Sequence, residues 1–186
     1  MVDTDVVVVG GGPAGLSAAL FTAKYGLDTA VFDTDDTWTH YAHLFNYLGI
    51  ESVDGEAFLE DAREQVDGFG ADRRQGVAVT DVAADGDGFT VTAEDGEHTA
   101  RYVILATGDD RELAESLGCE LTESGLVDVD VTMETSVEDA YATGAMVRAE
   151  EYQAVISAGD GGAAALNVLS KEKGEGFHDF DTPDDA

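Results

Sequence analysis

Cysteine is almost absent from this sequence of 186 residues. Cys119 is the single cysteine, so the chain can form no intramolecular disulfide and carries no C-x-x-C redox pair. Free cysteines usually behave as small apolar residues. We therefore interpret Cys119 as a buried or connecting residue rather than as a reactive thiol.

Basic residues are also scarce. The chain has 9 Lys and Arg against 40 Asp and Glu, which gives a formal net charge of −31. This argues against nucleic-acid binding, because the neutralisation of phosphates requires clustered bases. The acids are spread along the whole chain, so we interpret them as a solvated surface suited to molar salt, which screens charge repulsion beyond roughly 3 Å. The alternative, an acidic face for a cationic partner, predicts clustering.

Long apolar runs are missing as well, since no segment approaches the roughly 20 residues that cross a membrane. The first residues resemble a strand rather than a signal peptide, and we expect a cytoplasmic protein without a membrane span. The length suggests one dinucleotide-binding domain over residues 1–173. An acidic tail over 174–186 has little apolar surface to bury, so we expect it to be mobile.

The most informative pattern lies near the start of the chain. Four valines at residues 6–9 run into a G-x-G-x-x-G motif at 10–15, and an apolar helical pattern follows. Such valines are typical of a strand buried on both faces of a parallel sheet. The glycines allow a tight turn, close approach of a pyrophosphate and close helix packing. Asp33 ends a second predicted strand, where a carboxylate can bind a ribose diol, so the sequence predicts dinucleotide binding.

The rest of the chain predicts an α/β fold with a Rossmann-like dinucleotide-binding arrangement. We expect a central parallel sheet of about five strands, with helices on one face and a three-stranded antiparallel meander on the other. The further predicted elements are a helix over 55–70, the meander over 72–101, strands at 102–106, 126–129 and 140–143, and a closing helix over 151–170.

Four motifs in this order resemble the FAD domain of the thioredoxin-reductase-like flavoproteins, members of the pyridine nucleotide–disulfide oxidoreductase superfamily. The resemblance covers about residues 4–170. Its motifs are the Gly-rich turn at 10–15, N-Y-L-G at 46–49, A-T-G at 106–108, and T-S-V-E-D-A-Y-A-T-G at 135–144 with Y-Q-A at 152–154. The joint match is more specific than any single motif. It implies FAD as the cofactor and a homodimer.

The resemblance also assigns roles to individual positions. The implied cofactor-binding residues are Gly10, Gly12, Pro13, Ala14 and Gly15 at the pyrophosphate, Asp33 at the ribose, Val77 at adenine, Ala106, Thr107 and Gly108 along the cofactor, Gly144 and Ala145 at the ribityl chain, and Asn46, Gln153 and Ala154 near the flavin. Two of these have equally plausible alternatives: Asn46 as a turn residue and Gln153 as a helix-surface residue.

The sequence departs from the family pattern in three ways. Residues 109–140 are too few for the NAD(P)H domain that the family inserts there, and the family's C-x-x-C, which lies in that domain, is missing with it. The family ends its last strand in Gly-Asp, whose carboxylate contacts the ribityl chain, whereas this chain has Gly144-Ala145. The lost charged hydrogen bond is worth roughly 1.5–3 kcal/mol.

Few residues offer chemistry of their own. His40 and His43 lie in an aromatic stretch with Trp38, Tyr41 and Phe45. We interpret the stretch as a cluster that covers the edge of the core, and its alternative role is to shape the flavin environment. The two histidines lack the further ligands of a metal site. No catalytic side chain is predicted, which an FAD enzyme tolerates because the cofactor carries the redox chemistry.

Two functional hypotheses follow. The first is an FAD-dependent oxidoreductase without its own NAD(P)H domain, which exchanges electrons with a separate donor or acceptor such as a protein redox partner. The second is a non-enzymatic module, derived from a flavin reductase, that binds a dinucleotide or serves in an assembly. Ala145 and the missing domain favour the second, and the joint motif match favours the first.

Overall fold

The computed structural model describes residues 3–86 and 88–182, which form a mixed α/β fold with one seven-stranded and one two-stranded sheet. The strands are β1 (Thr4–Val9), β2 (Thr29–Asp33), β3 (His43–Leu44), β4 (Val53–Asp54), β5 (Asp72–Gln75), β6 (Val79–Asp85), β7 (Gly88–Ala93), β8 (Gly96–Leu105) and β9 (Ala140–Ala142). The α-helices are α1 (Pro13–Lys24), α2 (Gly55–Gly68), α3 (Glu112–Leu117) and α4 (Ala154–Lys173), and short 3₁₀ helices lie at Trp38–Tyr41 and Gly144–Val147.

The large sheet has the order β5-β2-β1-β8-β7-β6, and β9 also pairs with β8. Strands β5, β2, β1, β8 and β9 are parallel to their neighbours, whereas β6, β7 and β8 form an antiparallel meander. Strand β8 belongs to both parts: Ala100 pairs with Phe89 of β7, and Leu105 pairs with Val9 of β1. The small sheet is the antiparallel pair β3-β4.

The two faces of the parallel sheet bury different partners, because side chains alternate along each strand. Val6, Val8 and Ile104 belong to a buried cluster with residues of α1, α2 and α4. Val7 and Leu105 belong to a second cluster with buried residues of the meander. Helices on one face and the meander on the other confirm the predicted fold class.

The connection from β1 to α1 is as short as the Gly-rich motif predicts. A Cβ atom on Gly15 would lie 1.8 Å from the carbonyl oxygen of Gly10, so only glycine lets the helix begin this close to the strand. Gly12 is the N-cap of α1 and supplies no side-chain acceptor, and Pro13 opens the helix. The first N–H groups of α1 are therefore left for another acceptor at this edge of the sheet.

Two predicted segments have a different structure from the one expected. Residues 72–75 form β5, the edge of the parallel sheet, so the meander begins at Val79 instead of Asp72. Residues 126–129 form no strand and contribute an isolated bridge between Leu121 and Val127. The sequence D-G-D-G at 85–88 also predicts a turn within the meander, and its Asp87 lies outside the described residues.

The described part of the C-terminal tail contacts the end of α1. Phe177 packs edge-on against Tyr25, with ring centroids 4.6 Å apart, and Lys24 Nζ lies 3.1 Å from Asp179 Oδ1. Mobility of the tail stays a prediction, and it requires these contacts to break. Residues 183–186 lie outside the described residues. Within residues 3–86 and 88–182, no helix is long and apolar enough to cross a membrane.

Candidate functional site

A cavity of about 900 Å³ opens at the carboxyl ends of β1, β2, β8 and β9. This edge is where open α/β sheets bind ligands, and the volume lies within the range of cofactor sites. The sequence-predicted residues that line the cavity are Gly10, Gly12, Pro13, Ala14, Asp33, Val77, Ala106, Thr107, Gly108, Gly144, Ala145, Gln153 and Ala154. The structure therefore brings together residues from the whole length of the motif pattern, although their binding roles stay predictions.

Gly15 and Asn46 lie beside the cavity rather than on its wall. Gly15 is buried behind the Gly-rich turn, where it lets α1 approach β1. Asn46 lies in the connection after β3, and its Nδ2 donates a hydrogen bond to Gln153 Oε1 over 2.8 Å. Asn46 thus holds the side chain of a wall residue, and the two positions of uncertain role contact each other.

Asp33 is the buried acid at one end of the cavity. We call this region the β2 end and define it by Gly11 and Asp33, which line the cavity, together with Asp35 and Arg63, which do not. The residue is 3% exposed. Its Oδ1 accepts from the backbone N–H of Asp35 over 2.9 Å, and its Oδ2 accepts from Arg63 Nη2 over 3.2 Å. A Cβ atom on Gly11 would lie 2.0 Å from Asp33 Oδ2. Gly11, at the first variable position of the motif, is therefore required for the position of the carboxylate.

Arg63 joins Asp33 to a chain of charged groups outside the cavity. Its Nη2 also donates to Asp35 Oδ1 over 2.6 Å, and that oxygen lies 2.9 Å from His40 Nε2. The His40 Nδ1 lies 2.8 Å from Glu56 Oε1. These contacts tie the 3₁₀ helix that contains His40 to α2 and to the end of β2.

The hydrogen bonds among these side chains favour the charged forms of Asp35 and His40. The Arg63 hydrogen bond lowers the pKa of the Asp35 carboxyl to about 2. Burial lowers the pKa of His40, but its hydrogen bonds to Asp35 and Glu56 outweigh burial, and the net pKa is raised. Asp35 adopts the left-handed backbone region with φ 62°, which costs energy for a residue other than glycine. The network of contacts holds it there.

The sequence analysis missed Arg63. The apolar spacing of this helix in the sequence predicts a face of Phe58, Ala62 and Val66, with Leu59 and Phe69 beside it. The buried residues of α2 instead include Leu59, Arg63 and Val66. A buried arginine requires an acid partner. The sequence offers one signal for Arg63: it lies at helical spacing from Leu59 and Val66, and basic residues are rare in this chain.

The opposite end of the cavity, the β9 end, is defined by Thr143, Gly144, Ala145 and Ser157. Ala145 is 8% exposed and presents a methyl group, where the family pattern has a carboxylate. The Thr143 hydroxyl donates to the Leu105 carbonyl over 3.1 Å. Helix α4 begins here at Ala154 without a side-chain cap. The β9 end therefore offers backbone N–H groups and fewer polar side-chain contacts than the β2 end.

The cavity wall is acidic. None of the described residues that line it is Lys, Arg or His. Its carboxylates are those of Asp33, Asp36, Asp81, Asp109, Asp110 and Glu112. An anionic ligand such as a pyrophosphate must then rely on backbone N–H groups and the dipole of α1.

The aromatic stretch does not cover the core as predicted. Tyr41 is 88% and Phe45 73% exposed. Trp38 lines the cavity and packs against Tyr152, with ring centroids 5.5 Å apart, so it belongs to the rim of the site. His43 Nε2 lies 2.9 Å from Ser52 Oγ. In the part of the chain that the structure describes, no group of three His, Cys, Asp or Glu side chains is placed to hold a metal ion.

Cys119 lies away from the cavity wall and is buried. Burial raises the pKa of its thiol, and its Sγ lies 3.5 Å from Thr135 Oγ1. A thiol of raised pKa is a poor nucleophile at neutral pH. This agrees with the interpretation of Cys119 as a structural residue.

Comparison with known proteins identifies the family. The family model described as pyridine nucleotide-disulphide oxidoreductase matches residues 4–110 and 56–162. The chain belongs to the pyridine nucleotide-disulphide oxidoreductase family. Among its relatives, a thioredoxin reductase of Peptoclostridium acidaminophilum is 34% identical over 132 residues, which are 66% of this chain and 40% of the relative. The F component of the alkyl hydroperoxide reductase of Staphylococcus aureus is 32% identical over 111 residues, or 56% of this chain and 21% of the relative.

Solved structures of thioredoxin reductases show the same fold. A thioredoxin reductase from Gloeobacter violaceus superposes with a TM-score of 0.87 at 21% identity, covering 98% of this chain and 100% of that chain. The T. acidophilum thioredoxin reductase superposes with a TM-score of 0.82 at 20% identity, covering 91% and 99%. The chain nevertheless spans only a fifth to two fifths of the curated relatives that it matches. The resemblance seen in the sequence is confirmed, and FAD is the cofactor of this family's thioredoxin reductases.

Proposed function

We propose that the chain is an FAD-dependent oxidoreductase domain that exchanges electrons with a separate donor or acceptor. The observation that carries the proposal is the convergence of the Gly-rich turn, buried Asp33, the A-T-G segment at 106–108 and the start of α4 on one cavity. Family membership supports the same cofactor. These groups line the cavity from the end of β2 to the end of β9, so an extended dinucleotide would contact both ends.

The residues fit FAD at three places along the cavity. The uncapped N–H groups of α1, beside Gly12 and Pro13, would bind the pyrophosphate. Asp33 would accept hydrogen bonds from the adenosine ribose, and Arg63 would hold its carboxylate in place. The backbone at Gln153 and Ala154 would face the flavin. Bound FAD supplies the redox chemistry, whereas this chain binds and orients it.

The electron donor is proposed to be a separate molecule. Between β8 and β9 the described chain contains α3, of six residues, and irregular segments. This segment offers no second nucleotide-binding unit, and Cys119 is a lone buried cysteine. A protein redox partner would therefore exchange electrons at the cavity mouth, and turnover with NADPH alone should be poor.

Reconstitution tests FAD binding. Protein purified and mixed with FAD in about 2 M KCl, which screens the net charge, should keep a flavin spectrum after desalting into the same salt. Gly12→Val should lose the spectrum, because its added methyl groups occupy the space of the pyrophosphate. Wild-type protein that emerges colourless would contradict the proposal.

A second candidate is a non-enzymatic dinucleotide-binding module. The methyl group of Ala145 favours it, because the β9 end lacks the family's carboxylate. Calorimetric titration with FAD, NAD and ADP separates the two candidates. Tight binding of ADP or NAD with no preference for FAD favours the module, whereas FAD-selective binding favours the oxidoreductase.

We also propose that the acids are an adaptation to molar salt in the cytoplasm of a salt-accumulating organism. The carboxylates repel one another, because the net charge of −31 is carried by only 186 residues. Salt screens this repulsion. The midpoint of thermal unfolding should rise steeply between about 0.1 and about 2 M KCl. An unchanged midpoint over that range would contradict the adaptation and reopen the acidic-face alternative.

A homodimer is proposed as the assembly. Tyr41, Phe45 and Leu48 are exposed apolar side chains on one segment after β2, with Leu48 93% exposed, and such surface is commonly covered by a partner. Light scattering in molar salt should give the mass of two chains. A sharp monomer mass would exclude the dimer.

A further inference from the structure

Ser157 lies in the first turn of α4 and lines the cavity at the β9 end. A Cβ atom built on Gly144 would lie 3.7 Å from Ser157 Oγ and 3.9 Å from Ser157 Cβ. The side chain is half-buried. Its hydroxyl is therefore adjacent to the end of β9, next to the position where Ala145 replaces the family's carboxylate.

Two threonine hydroxyls near this end are already used. Thr143 Oγ1 donates to the Leu105 carbonyl over 3.1 Å, and Thr107 Oγ1 donates to the Asp110 carbonyl over 2.7 Å. The Ser157 backbone N–H donates to the Gln153 carbonyl over 2.8 Å. Its hydroxyl has no hydrogen-bond partner within residues 3–86 and 88–182, and it can both donate and accept.

We propose that Ser157 is a cofactor-binding residue whose hydroxyl hydrogen-bonds the polyol chain between the flavin ring and the pyrophosphate. This inference rests on the proposed binding of FAD. A serine hydroxyl suits a polyol because both groups donate and accept, whereas a carboxylate only accepts. A neutral side chain also adds no further negative charge to a cavity that already contains six carboxylates. Ser157 thus supplies, from α4, a contact that Ala145 on the β9 side cannot make.

The test compares two ligands that differ in the polyol chain. FAD contains it and ADP does not, so calorimetric titration of both, in about 2 M KCl, isolates this part of the site. Ser157→Ala should weaken FAD binding roughly threefold to tenfold, the range expected for one neutral hydrogen bond. The ADP affinity should not change.

Ser17→Ala is the matched control. Ser17 is half-buried in α1, its hydroxyl has no hydrogen-bond partner among the described residues, and it does not line the cavity. Both affinities should stay at the wild-type values in this variant.

Each alternative outcome has a distinct meaning. Unchanged FAD affinity in Ser157→Ala would overturn the role of Ser157 and leave the proposed function intact. An equal loss of FAD and ADP affinity would overturn it too, since the effect would then be a general distortion of the cavity. Failure of the wild-type protein to bind FAD at all would overturn the proposed function and this inference with it.

Discussion

The two ends of the cavity are built differently. At the β2 end, Asp33 is held by the backbone of Asp35, by Arg63 and by the close approach of Gly11. At the β9 end, Ala145 presents a methyl group, and the Ser157 hydroxyl has no hydrogen-bond partner among the described residues. The β2 end would bind the adenosine and the pyrophosphate, so nucleotide binding depends on a carboxylate that its neighbours hold in place. Selection of the flavin would depend on the β9 end, which offers fewer contacts.

The largest expected effect comes from filling the space beside Asp33. Gly11→Ala places a Cβ atom 2.0 Å from Asp33 Oδ2, so the carboxylate must move away from Arg63 and from the ribose position. ADP and FAD affinity should both fall by roughly a hundredfold, because a charged hydrogen bond is worth up to about 3 kcal/mol. Calorimetry measures both.

Gly159→Ala is the control for this change. Gly159 lies in α4, and a Cβ atom there would meet nothing within 4 Å. This variant should bind both ligands normally. If Gly11→Ala lowered only the FAD affinity, the β2 end would not be the shared nucleotide half.

The next effect concerns stability at the β2 end. Arg63→Met leaves Asp33 buried without its charged partner, and removal of one member of a buried pair costs about 3 kcal/mol. The same substitution at Arg73, whose partner Asp67 is half exposed, should cost less than about 1 kcal/mol. Urea unfolding in molar salt measures both, and equal costs would contradict the structural role of Arg63.

Arg63→Met should also change the response to acid. The Asp35 carboxyl has a folded-state pKa of about 2 against a usual 3.8. A lowered pKa stabilises the fold above the usual value, and this contribution is lost as the pH falls from about 4 to about 2. The wild-type free energy of unfolding should therefore decline more steeply over that window than that of the variant. Parallel curves would show that Arg63 does not set the Asp35 pKa.

The smallest effect is a gain at the β9 end. Ala145→Asp restores the family's carboxylate and should tighten FAD binding by up to about tenfold in molar salt, where the acidic wall is screened. The ADP affinity should not change, since ADP does not reach the ribityl position. Unchanged or weaker FAD binding would mean that the end of β9 does not face the ribityl chain.

The βαβ unit could be predicted from the sequence because each of its parts has a local cause. The valines at 6–9 are buried as expected, and Gly15 is needed for the contact with Gly10. The wall of the cavity was likewise predictable, because motifs that follow strands meet at one edge of the sheet.

Other features depend on distant contacts. Residues 72–75 are D-R-R-Q, a polar edge strand whose parallel pairing with β2 has no local signal. Helix α4 continues through Gly159, Gly161 and Gly162 although glycines normally weaken a helix. A Cβ atom on Gly161 would lie 2.0 Å from the Ala14 carbonyl oxygen, so the glycine serves the close packing of α4 on α1. Ser157 and Arg63 became candidates only when their neighbours were known.

The relative affinity for FAD and ADP tests the central claim most directly. Wild-type protein titrated with each ligand in about 2 M KCl should bind ADP through the β2 end alone and FAD through both ends. We predict that FAD binds at least about tenfold more tightly than ADP, the equivalent of one or two hydrogen bonds at the β9 end. Equal affinities would contradict the claim, because the β9 end would then contribute nothing to flavin binding.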